Sequence, residues 1–340
     1  MVENVNQHGI KIDDIKRALQ SGDINSAISL SQQVLDNQDS PEQQIEALYL
    51  LAVAQRTKGL INEATETVNK LITTDPNHAR AHQENGYLAI STGNIPNAAT
   101  AFARATRLNP ALLSSWQKLA PLYHELNHVE GERFATQRIA YLTQLPVEIR
   151  GARDLMYEGK LAIADTVCRR FLQKHNHHVE AMLLLAEVGI KLKLYHKAEF
   201  LLESCVEIHP KHEAARAEYV QLLAKLGKFS QAKQQADVLL NENPDNHHYL
   251  AAKASAMVGI GEVDQAITLY QQILSERNDL PGIQLLLGHA YKANGNIEQA
   301  VASYQQAYKI RPDFGDAFWS LANTKTYRFT DDELALMQSQ

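Results

Sequence analysis

The sequence predicts an all-α protein, built as a solenoid of stacked antiparallel helix pairs. Three residue types recur with a spacing of 34 residues or close to a multiple of it. The prolines are Pro76, Pro110, Pro210, Pro244 and Pro312. Twelve residues before each proline stands an alanine, at Ala64, Ala98, Ala198, Ala232 and Ala300. Five residues before most of these alanines stands a glycine, at Gly59, Gly93, Gly227 and Gly295. A fixed period near 34 indicates units that must stack on their neighbours to bury their apolar faces.

Each unit is predicted to hold two helices. The glycine ends the first helix, where a left-handed backbone costs glycine little, and the proline follows the second, which it cannot continue. Pro96 and Pro281 fall at predicted first turns, where a missing N–H is harmless. We number each unit so that a small residue falls at position 8, the glycine at 15, the alanine at 20 and the proline at 32. The units then begin near His8, Ile45, Ala79, Leu113, Leu145, Val179, Glu213, His247 and Pro281. A tenth unit begins at Gly315 and is not completed.

Small and large residues alternate inside the units at helical spacing. Gly86 and Ala98 are predicted to let two helices approach, and large side chains fill the space around them: Leu51, Phe102, Leu185, Tyr270, Leu287 and Tyr304. This pattern resembles the tetratricopeptide repeat, a helix–turn–helix family, over nearly the whole chain. The resemblance implies a right-handed superhelical solenoid that binds a protein or peptide in its concave groove.

The fourth and fifth units depart from the pattern between residues 121 and 157. Pro121 lies inside a predicted first helix and should kink or break it. Glu132 occupies the alanine position and Asn127 the glycine position, while Leu145-Pro146 predicts a short first helix in the fifth unit. The irregularity is either a bend that shapes a groove or a decayed repeat. It separates units 1–4, residues 8–144, from units 5–9, residues 145–314, and residues 315–340 form the incomplete unit.

The groove of such an array is lined by positions 2, 5, 9 and 12 of the first helices. Aromatic and long polar side chains there are typical of a peptide-binding surface, although any soluble solenoid must line its groove with polar residues. The candidate contacts are Tyr49, Arg56, Arg80, Gln83, Tyr87, Gln117, His124, Arg153, Glu187, Gln221, His289 and Lys292. Neither the Lys-and-Asn pair at positions 5 and 9 that captures acidic C-termini of chaperones, nor the asparagine ladder at position 6 of O-linked N-acetylglucosamine transferases, is present.

Composition limits the partners. A net charge of −6 argues against nucleic acid, which needs a basic footprint. The charge is uneven: residues 104–174 carry eleven Lys and Arg against seven Asp and Glu. This basic middle could attract an acidic partner, or it could be a solvated helical face. There is no secretory signal pattern and no apolar run long enough to cross a bilayer. Cys168 and Cys205 form no disulfide framework, which favours a reducing cytoplasm. Partner identity and oligomeric state are not encoded in these patterns.

No catalytic motif emerges, and no cofactor is predicted for this chain. Most of the fourteen histidines fall between units, so we expect turn or capping roles rather than a metal site, whose ligands must converge. Cys168 and Cys205 occupy packing positions of second helices and are predicted to be core thiols.

The segment that follows Ile310 changes character. A normal first helix begins at Gly315, but Thr324-Lys325-Thr326-Tyr327-Arg328-Phe329 replaces the expected turn and second helix. Thr330-Asp331-Asp332-Glu333 then resembles a capping box. The stretch Phe314–Met337 resembles the junction in bacterial repeat-containing sulfotransferases. That resemblance implies a substrate-presenting arm ahead of a sulfotransferase domain, which would bind 3′-phosphoadenosine 5′-phosphosulfate, with Tyr327, Arg328 and Phe329 packing the junction. The alternative is a free-standing adaptor that assembles a protein complex.

Overall fold

The computed structural model describes residues 12–37 and 40–339, in which every regular element is a helix. The chain divides into two compact units, Met1–Phe171 and Leu172–Gln340, and the boundary falls within the tenth helix. The first unit holds α1 (Ile12–Ser21), α2 (Ile24–Asp36), α3 (Pro41–Lys58), α4 (Ile61–Thr74), α5 (Ala79–Ser91), α6 (Ile95–Leu108), α7 (Leu113–Glu125), α8 (Val129–Gln144), α9 (Val147–Tyr157) and most of α10 (Leu161–Lys174). The second holds α11 (Val179–Lys191), α12 (Tyr195–Ile208), α13 (Glu213–Lys225), α14 (Phe229–Glu242), α15 (His247–Gly259), α16 (Val263–Glu276), α17 (Pro281–Ala293), α18 (Ile297–Ile310), α19 (Gly315–Ala322) and α20 (Asp331–Gln338).

The all-α repeat array is therefore confirmed, and most helix starts agree with the repeat register. The first helices of seven units begin at the predicted residues Ala79, Leu113, Val179, Glu213, His247, Pro281 and Gly315. The prediction for the second unit was wrong by four residues, since α3 begins at Pro41 rather than Ile45. The reason is local: Ser40 caps the helix by accepting from the Gln43 N–H, and Pro41 supplies the first turn. The predicted start of the first unit, His8, lies outside the described residues.

The turns within the repeats confirm the role of the glycine position. Gly93 and Gly295 have φ of 73° and 78°, the left-handed region in which a Cβ is strained. Asn127 takes the same conformation in the fourth unit, with φ of 55°. Asparagine tolerates this region better than most residues, because its short side chain can form local hydrogen bonds. The irregular repeat therefore keeps the turn of the regular ones.

Close packing of small against large residues joins the two helices of a regular repeat. A Cβ placed on Gly86 of α5 would lie 2.7 Å from the Phe102 ring of α6. A Cβ placed on Gly288 of α17 would likewise come too close to the Tyr304 ring of α18. Phe102, Tyr304 and the alanines at position 20 are fully buried. The larger predicted core residues Leu51, Leu185, Tyr270 and Leu287 are buried as well.

The expectation that Pro121 breaks its helix was wrong. Helix α7 runs without interruption from Leu113 to Glu125. Pro121 and Gln117, whose carbonyl loses its helical partner to the proline, are both exposed, so water can hydrate that carbonyl. Leu119 and Leu122 on either side of the proline are buried and hold the helix in place. The predicted shortening of the fifth unit is confirmed, since α9 begins only at Val147.

Helix α8 accommodates Glu132 by burying a smaller, displaced part of its surface. Both α6 and α8 bury the alanine at position 23, Ala101 and Ala135, but only α6 also buries the residues at positions 20, 24 and 27, which are Ala98, Phe102 and Ala105. Glu132, which occupies the alanine position, is thereby displaced from the interface between the two helices. Its carboxylate lies 3.2 Å from His124 Nδ1. The fourth repeat thus retains its two helices and its turn but has a shifted contact between them.

The C-terminal segment closes onto the last repeat helices. Thr330 and Glu333 form the predicted capping box at the start of α20. The Glu333 carboxylate also accepts hydrogen bonds from Tyr308 at 2.7 Å and Tyr327 at 2.5 Å. Burial acts to raise the pKa of Glu333, but these phenol donors and the Thr330 N–H outweigh it and hold the pKa below its usual value. Tyr327 and Phe329 pack against the cluster that contains Tyr308 and lies over α18 and α19.

The two compact units are defined by the contacts within each of them. The division of the repeats between residues 144 and 145 is defined by the repeat register, and it stays a prediction. None of the helices in the described ranges is long and apolar enough to cross a membrane.

Candidate binding site

A cavity of about 610 Å³ lies in the first unit, and we call it the Tyr49–Arg80 cavity. Residues from well-separated parts of the unit form its walls: Lys16, Glu46, Tyr49, Leu50, Asp75, Asn77, His78, Ala79, Arg80, Leu108, Asn109, Tyr157, Glu158, Gly159 and Lys160. Two of the predicted groove residues, Tyr49 and Arg80, are among them. The first helices of the second, third and fifth repeats therefore contribute to one site.

Arg80 spans the cavity and connects α5 to α9. Its guanidinium lies 2.6 Å from the Asp154 carboxylate and forms a second ion pair with Glu158. Asn109 donates a hydrogen bond of 2.7 Å to Asp154, and Lys160 pairs with Glu158 at 2.7 Å. The third and fifth repeats are thus joined directly by a charged network.

This network shifts the pKa values of its members. Burial opposes the charged form of Arg80, but the carboxylates of Asp154 and Glu158 outweigh it and raise the pKa of Arg80. Burial also acts to raise the pKa of Glu158, yet its bonds to Lys160 and Arg80 lower it overall. Arg80 therefore remains a cation over the whole physiological range.

Tyr49 and His78 form an aromatic part of the cavity wall, with ring centroids 5.6 Å apart. Burial raises the pKa of the Tyr49 phenol and lowers that of the His78 imidazole, so both are neutral at pH 7. His78 Nδ1 accepts from the Ala81 N–H at the start of α5. Beside them, Lys16 pairs with Glu46 at 2.7 Å. The wall consists of neutral rings next to a balanced ion pair.

Three more predicted residues of the first unit lie in contacts between consecutive first helices. Arg56 forms an ion pair with the buried Glu84 at 2.5 Å, and its guanidinium lies 4.9 Å from the centre of the Tyr87 ring. Gln83 is buried and donates to Ser114 and Ser115 of α7, at 2.9 and 2.7 Å. These side chains join neighbouring repeats and are not part of the cavity wall.

The remaining predicted residues fall at separate places. Gln117 and His124 are exposed on α7 and Arg153 is half-buried on α9. In the second unit, Gln221 is exposed and Glu187 is half-buried. His289 Nδ1 lies 2.9 Å from the Tyr304 hydroxyl, and Lys292 donates to the Asn323 carbonyl at the end of α19. His289 and Lys292 therefore also take part in internal contacts, and whether any of these residues binds a partner stays a prediction.

Sequence reasoning did not identify four residues of the cavity network: Asn109, Asp154, Glu158 and Lys160. Asn109 follows the last residue of α6 as its C-cap. Asp154 and Glu158 are one helical turn apart on α9, so they share a face. That pair of carboxylates was a usable signal, but nothing local indicated that Arg80, more than 70 residues earlier, would meet it.

Three histidines and both cysteines take the structural roles that were predicted for these residue types. His78, His128 and His212 each accept a backbone N–H at a helix start, which confirms capping roles for them. Burial raises the pKa of Cys168 to about 12 and that of Cys205 to about 11, as for thiols in a core. Within residues 12–37 and 40–339, no three His, Cys, Asp or Glu side chains come together as a metal site.

The helix pairs and the cavity between first helices define a helical-repeat binding protein by architecture. Tetratricopeptide repeat family models match residues 18–86, 190–256 and 288–325, about half of the chain. The chain is therefore a tetratricopeptide repeat protein. A comparison with curated protein sequences gives no significant match.

Among solved structures, the chain is similar to a thermophilic tetratricopeptide repeat protein, TTC0263, of Thermus thermophilus. The two are 21% identical, with a TM-score of 0.45, over 53% of this chain and 98% of the other. It is also similar to YrrB, described as a tetratricopeptide repeat protein with an unusual peptide-binding site, at 17% identity and a TM-score of 0.44, over 54% of this chain and 96% of YrrB. A tetratricopeptide repeat protein from Parabacteroides merdae shares 15% identity over 93% of this chain and 97% of its own, with a TM-score of 0.40.

Proposed function

We propose that this protein is a non-catalytic binding module that takes a short segment of a partner protein into the Tyr49–Arg80 cavity. The observation that carries the proposal is the cavity itself, whose volume of about 610 Å³ lies within the usual range for ligand sites. Rings of Tyr49 and Tyr157 offer contact area at little cost in side-chain entropy. Polar groups around them can fix the orientation of a peptide backbone.

The charges of the cavity indicate what kind of segment fits. Lys16 is paired with Glu46, while Arg80 and Lys160 are paired with carboxylates of α9. A strongly charged segment would have to displace these pairs and leave one partner uncompensated, which is costly. The cavity therefore suits a polar segment of low net charge, bound by hydrogen bonds and by stacking on tyrosine.

A peptide selection tests this function. Peptides enriched on the immobilised protein are resynthesised and titrated by calorimetry against wild type, Tyr49→Ala and Tyr195→Ala. Tyr195 is a half-buried tyrosine of α12 in the second unit and serves as the matched control. We expect Tyr49→Ala to weaken binding at least about tenfold, as for an aromatic anchor, and Tyr195→Ala to leave it unchanged. Equal loss in both variants, or none in Tyr49→Ala, would contradict the assignment of the cavity.

The role as the arm of a sulfotransferase is a finer proposal. It is supported by the resemblance of Phe314–Met337 to the repeat-to-domain junction of bacterial repeat-containing sulfotransferases, whereas the family models match only the repeats. In that case 3′-phosphoadenosine 5′-phosphosulfate would bind to the downstream domain and not to this chain. The test is the reading frame downstream of codon 340: a Ser-Gly-Thr phosphate loop supports the arm, and a stop codon leaves the free-standing adaptor.

We propose the reducing cytoplasm as the location. Both cysteines are free and buried, which is usual for proteins that fold without disulfides. Fractionation of cells that express a tagged chain at its native level would test this, with recovery in an oxidising compartment as the contradicting result.

A further inference from the structure

A second concave surface of the first unit lies mainly on α6, α7 and α8, and it shares Tyr157 with the Tyr49–Arg80 cavity. Two cavities, of about 420 and 530 Å³, adjoin between α6 and α8 and share Ala103, Arg107 and Tyr123. We call them together the Trp116 groove. Their lining residues are Pro96, Ala99, Thr100, Ala103, Arg104, Thr106, Arg107, Pro110, Trp116, Leu119, Tyr123, Leu126, Gly131, Phe134, Arg138 and Tyr157.

The floor of the groove is aromatic and fixed in position. Trp116 Nε1 donates to the Pro110 carbonyl at 3.0 Å, which fixes the indole with its polar edge satisfied. Phe134 meets the Trp116 ring edge to face, with centroids 5.6 Å apart, and is 55% exposed. Tyr123 lies against Gly131, where a Cβ would come within 2.9 Å of its ring. A large apolar side chain could therefore insert beside Phe134 without rearrangement of the floor.

The rim of the groove is basic. Arg104 and Arg107 project from α6 and Arg138 from α8, while none of the described residues that line the groove is an aspartate or glutamate. Arg104 donates to the Asn77 amide, and Arg138 lies over the Tyr141 ring at 5.0 Å. Over residues 12–37 and 40–339, neither Arg107 nor Arg138 has an ion-pair partner. Three of the eleven cations noted for residues 104–174 therefore lie at this rim, two of them without a carboxylate partner.

The irregular fourth repeat produces this surface. Phe134 occupies position 22, which holds Thr100 and Thr268 in the third and eighth repeats and Phe200 in the sixth. Phe134 precedes the buried Ala135 of α8 and lies at the edge of the interface, next to Trp116. The fourth repeat thus places an exposed aromatic ring at position 22 against the indole of Trp116.

We propose that the Trp116 groove binds an acidic segment of a partner protein that carries a large apolar anchor. The anchor inserts beside Phe134 and Trp116, and flanking carboxylates pair with Arg107 on one side and Arg138 on the other. Arginine suits this role because its planar guanidinium binds carboxylates through two parallel hydrogen bonds. The overall charge of −6 disfavours nucleic acid as the occupant, although arginine and aromatic residues also occur in single-strand binding sites.

The experiment uses fluorescence anisotropy with the whole chain and a labelled probe peptide, Glu-Asp-Glu-Phe-Leu-Glu-Asp. Two further peptides replace either the acids with lysine or the Phe-Leu anchor with Gly-Ser. We expect saturable binding of the acidic, anchored peptide only. Phe134→Ala and Arg107→Gln should each weaken it at least about tenfold, as for interface hot spots. Added salt should weaken it further, since the ion pairs are exposed at the rim.

Phe200→Ala is the matched control, because Phe200 holds position 22 of the sixth repeat and is 68% exposed. It should leave binding unchanged, as should Tyr49→Ala, which separates this groove from the Tyr49–Arg80 cavity. Arg107 is exposed, so loss of binding in Arg107→Gln cannot be ascribed to unfolding. The proposal is overturned by absence of binding, by equal affinity for the lysine peptide, or by unaltered binding in Arg107→Gln. Tighter Phe134-dependent binding of a ten-nucleotide oligouridine would overturn it in favour of nucleic acid.

Discussion

The third and fourth repeats are neighbours in the same unit, and they show how one repeat can be changed without loss of the fold. In the third, Gly86 receives Phe102, and Ala98 is fully buried between the helices. In the fourth, Glu132 takes the place of that alanine and is partly exposed, and the buried residues of α8 are Ala135 and Leu142. The two repeats share their turn geometry, so the difference is confined to the face that the second helix buries. The turn and the helix lengths are enough to preserve the repeat, while the interface is free to produce a new surface.

The largest effect on stability is expected at position 20, when the residue of one repeat is replaced by that of the other. Ala98→Glu places a carboxylate in a site with no exposure and no cation partner provided for it, so we expect a loss of at least about 3 kcal/mol in the free energy of unfolding. Glu132→Ala should change it by less than about 0.5 kcal/mol, because Glu132 is not in the core. Urea unfolding followed by circular dichroism measures both. Similar losses in the two variants would show that α8 is packed like α6.

A smaller loss of stability is expected when the ion pairs between Arg80 of the third repeat and the carboxylates of the fifth repeat are broken. Arg80→Gln leaves Asp154 and Glu158 without their shared cation, and we expect a loss of about 1–2 kcal/mol, reduced from the value for a fully buried pair because the groups are partly exposed. A double-mutant cycle with Asp154→Asn isolates the coupling. Additive effects of the two substitutions would contradict a direct bridge between α5 and α9.

The tenth unit is the other place where the repeat pattern fails, and we expect its stability to depend on pH. The pKa of Glu333 is lower in the folded protein than in the unfolded chain, so its contribution to stability is present above the unfolded pKa and is lost as pH falls through the folded pKa. We therefore expect amide hydrogens of α20 to exchange faster, relative to those of α18, at pH 3 than at pH 7. In Glu333→Gln this difference should largely disappear, with a cost of about 1 kcal/mol at pH 7. An unchanged pH response in that variant would assign the effect to other carboxylates.

The smallest effect is expected at the turns. Asn127→Gly should stabilise the fourth repeat by about 0.5 kcal/mol, since glycine takes a positive φ with less strain, and Gly93→Asn should destabilise the third by a similar amount. Thermal unfolding measures both. Destabilisation by Asn127→Gly would indicate that the asparagine side chain contributes more than its backbone conformation does.

Much of the fold could be predicted from the sequence because its signals are local. A glycine turn, a proline after the second helix and a small residue at position 8 recur in most units, so the starts of α5 or α13 followed directly from the register. Pro121 misled the prediction, because its effect on α7 depends on the hydration of one carbonyl and on packing by Leu119 and Leu122.

The site was less predictable. Tyr49 and Arg80 could be selected from their repeat positions, but their partners could not. Contacts between Arg80 and Asp154 depend on how the repeats between them stack, which is a sum of small rotations that no single residue determines. The sequence also did not predict which face of α8 is buried. The exposure of Glu132 and the burial of Ala135 became evident only in the structure.

The most direct measurement uses Trp116 itself, which forms the floor of the proposed groove. The chain has two tryptophans, so Trp319→Phe leaves Trp116 as the only source of indole fluorescence. Titration of this variant with unlabelled Glu-Asp-Glu-Phe-Leu-Glu-Asp should give a saturable change in the emission of Trp116, at the concentrations at which anisotropy reports binding, and the lysine counterpart should give none. If the peptide binds while the emission of Trp116 stays constant, the fourth repeat does not form the docking surface.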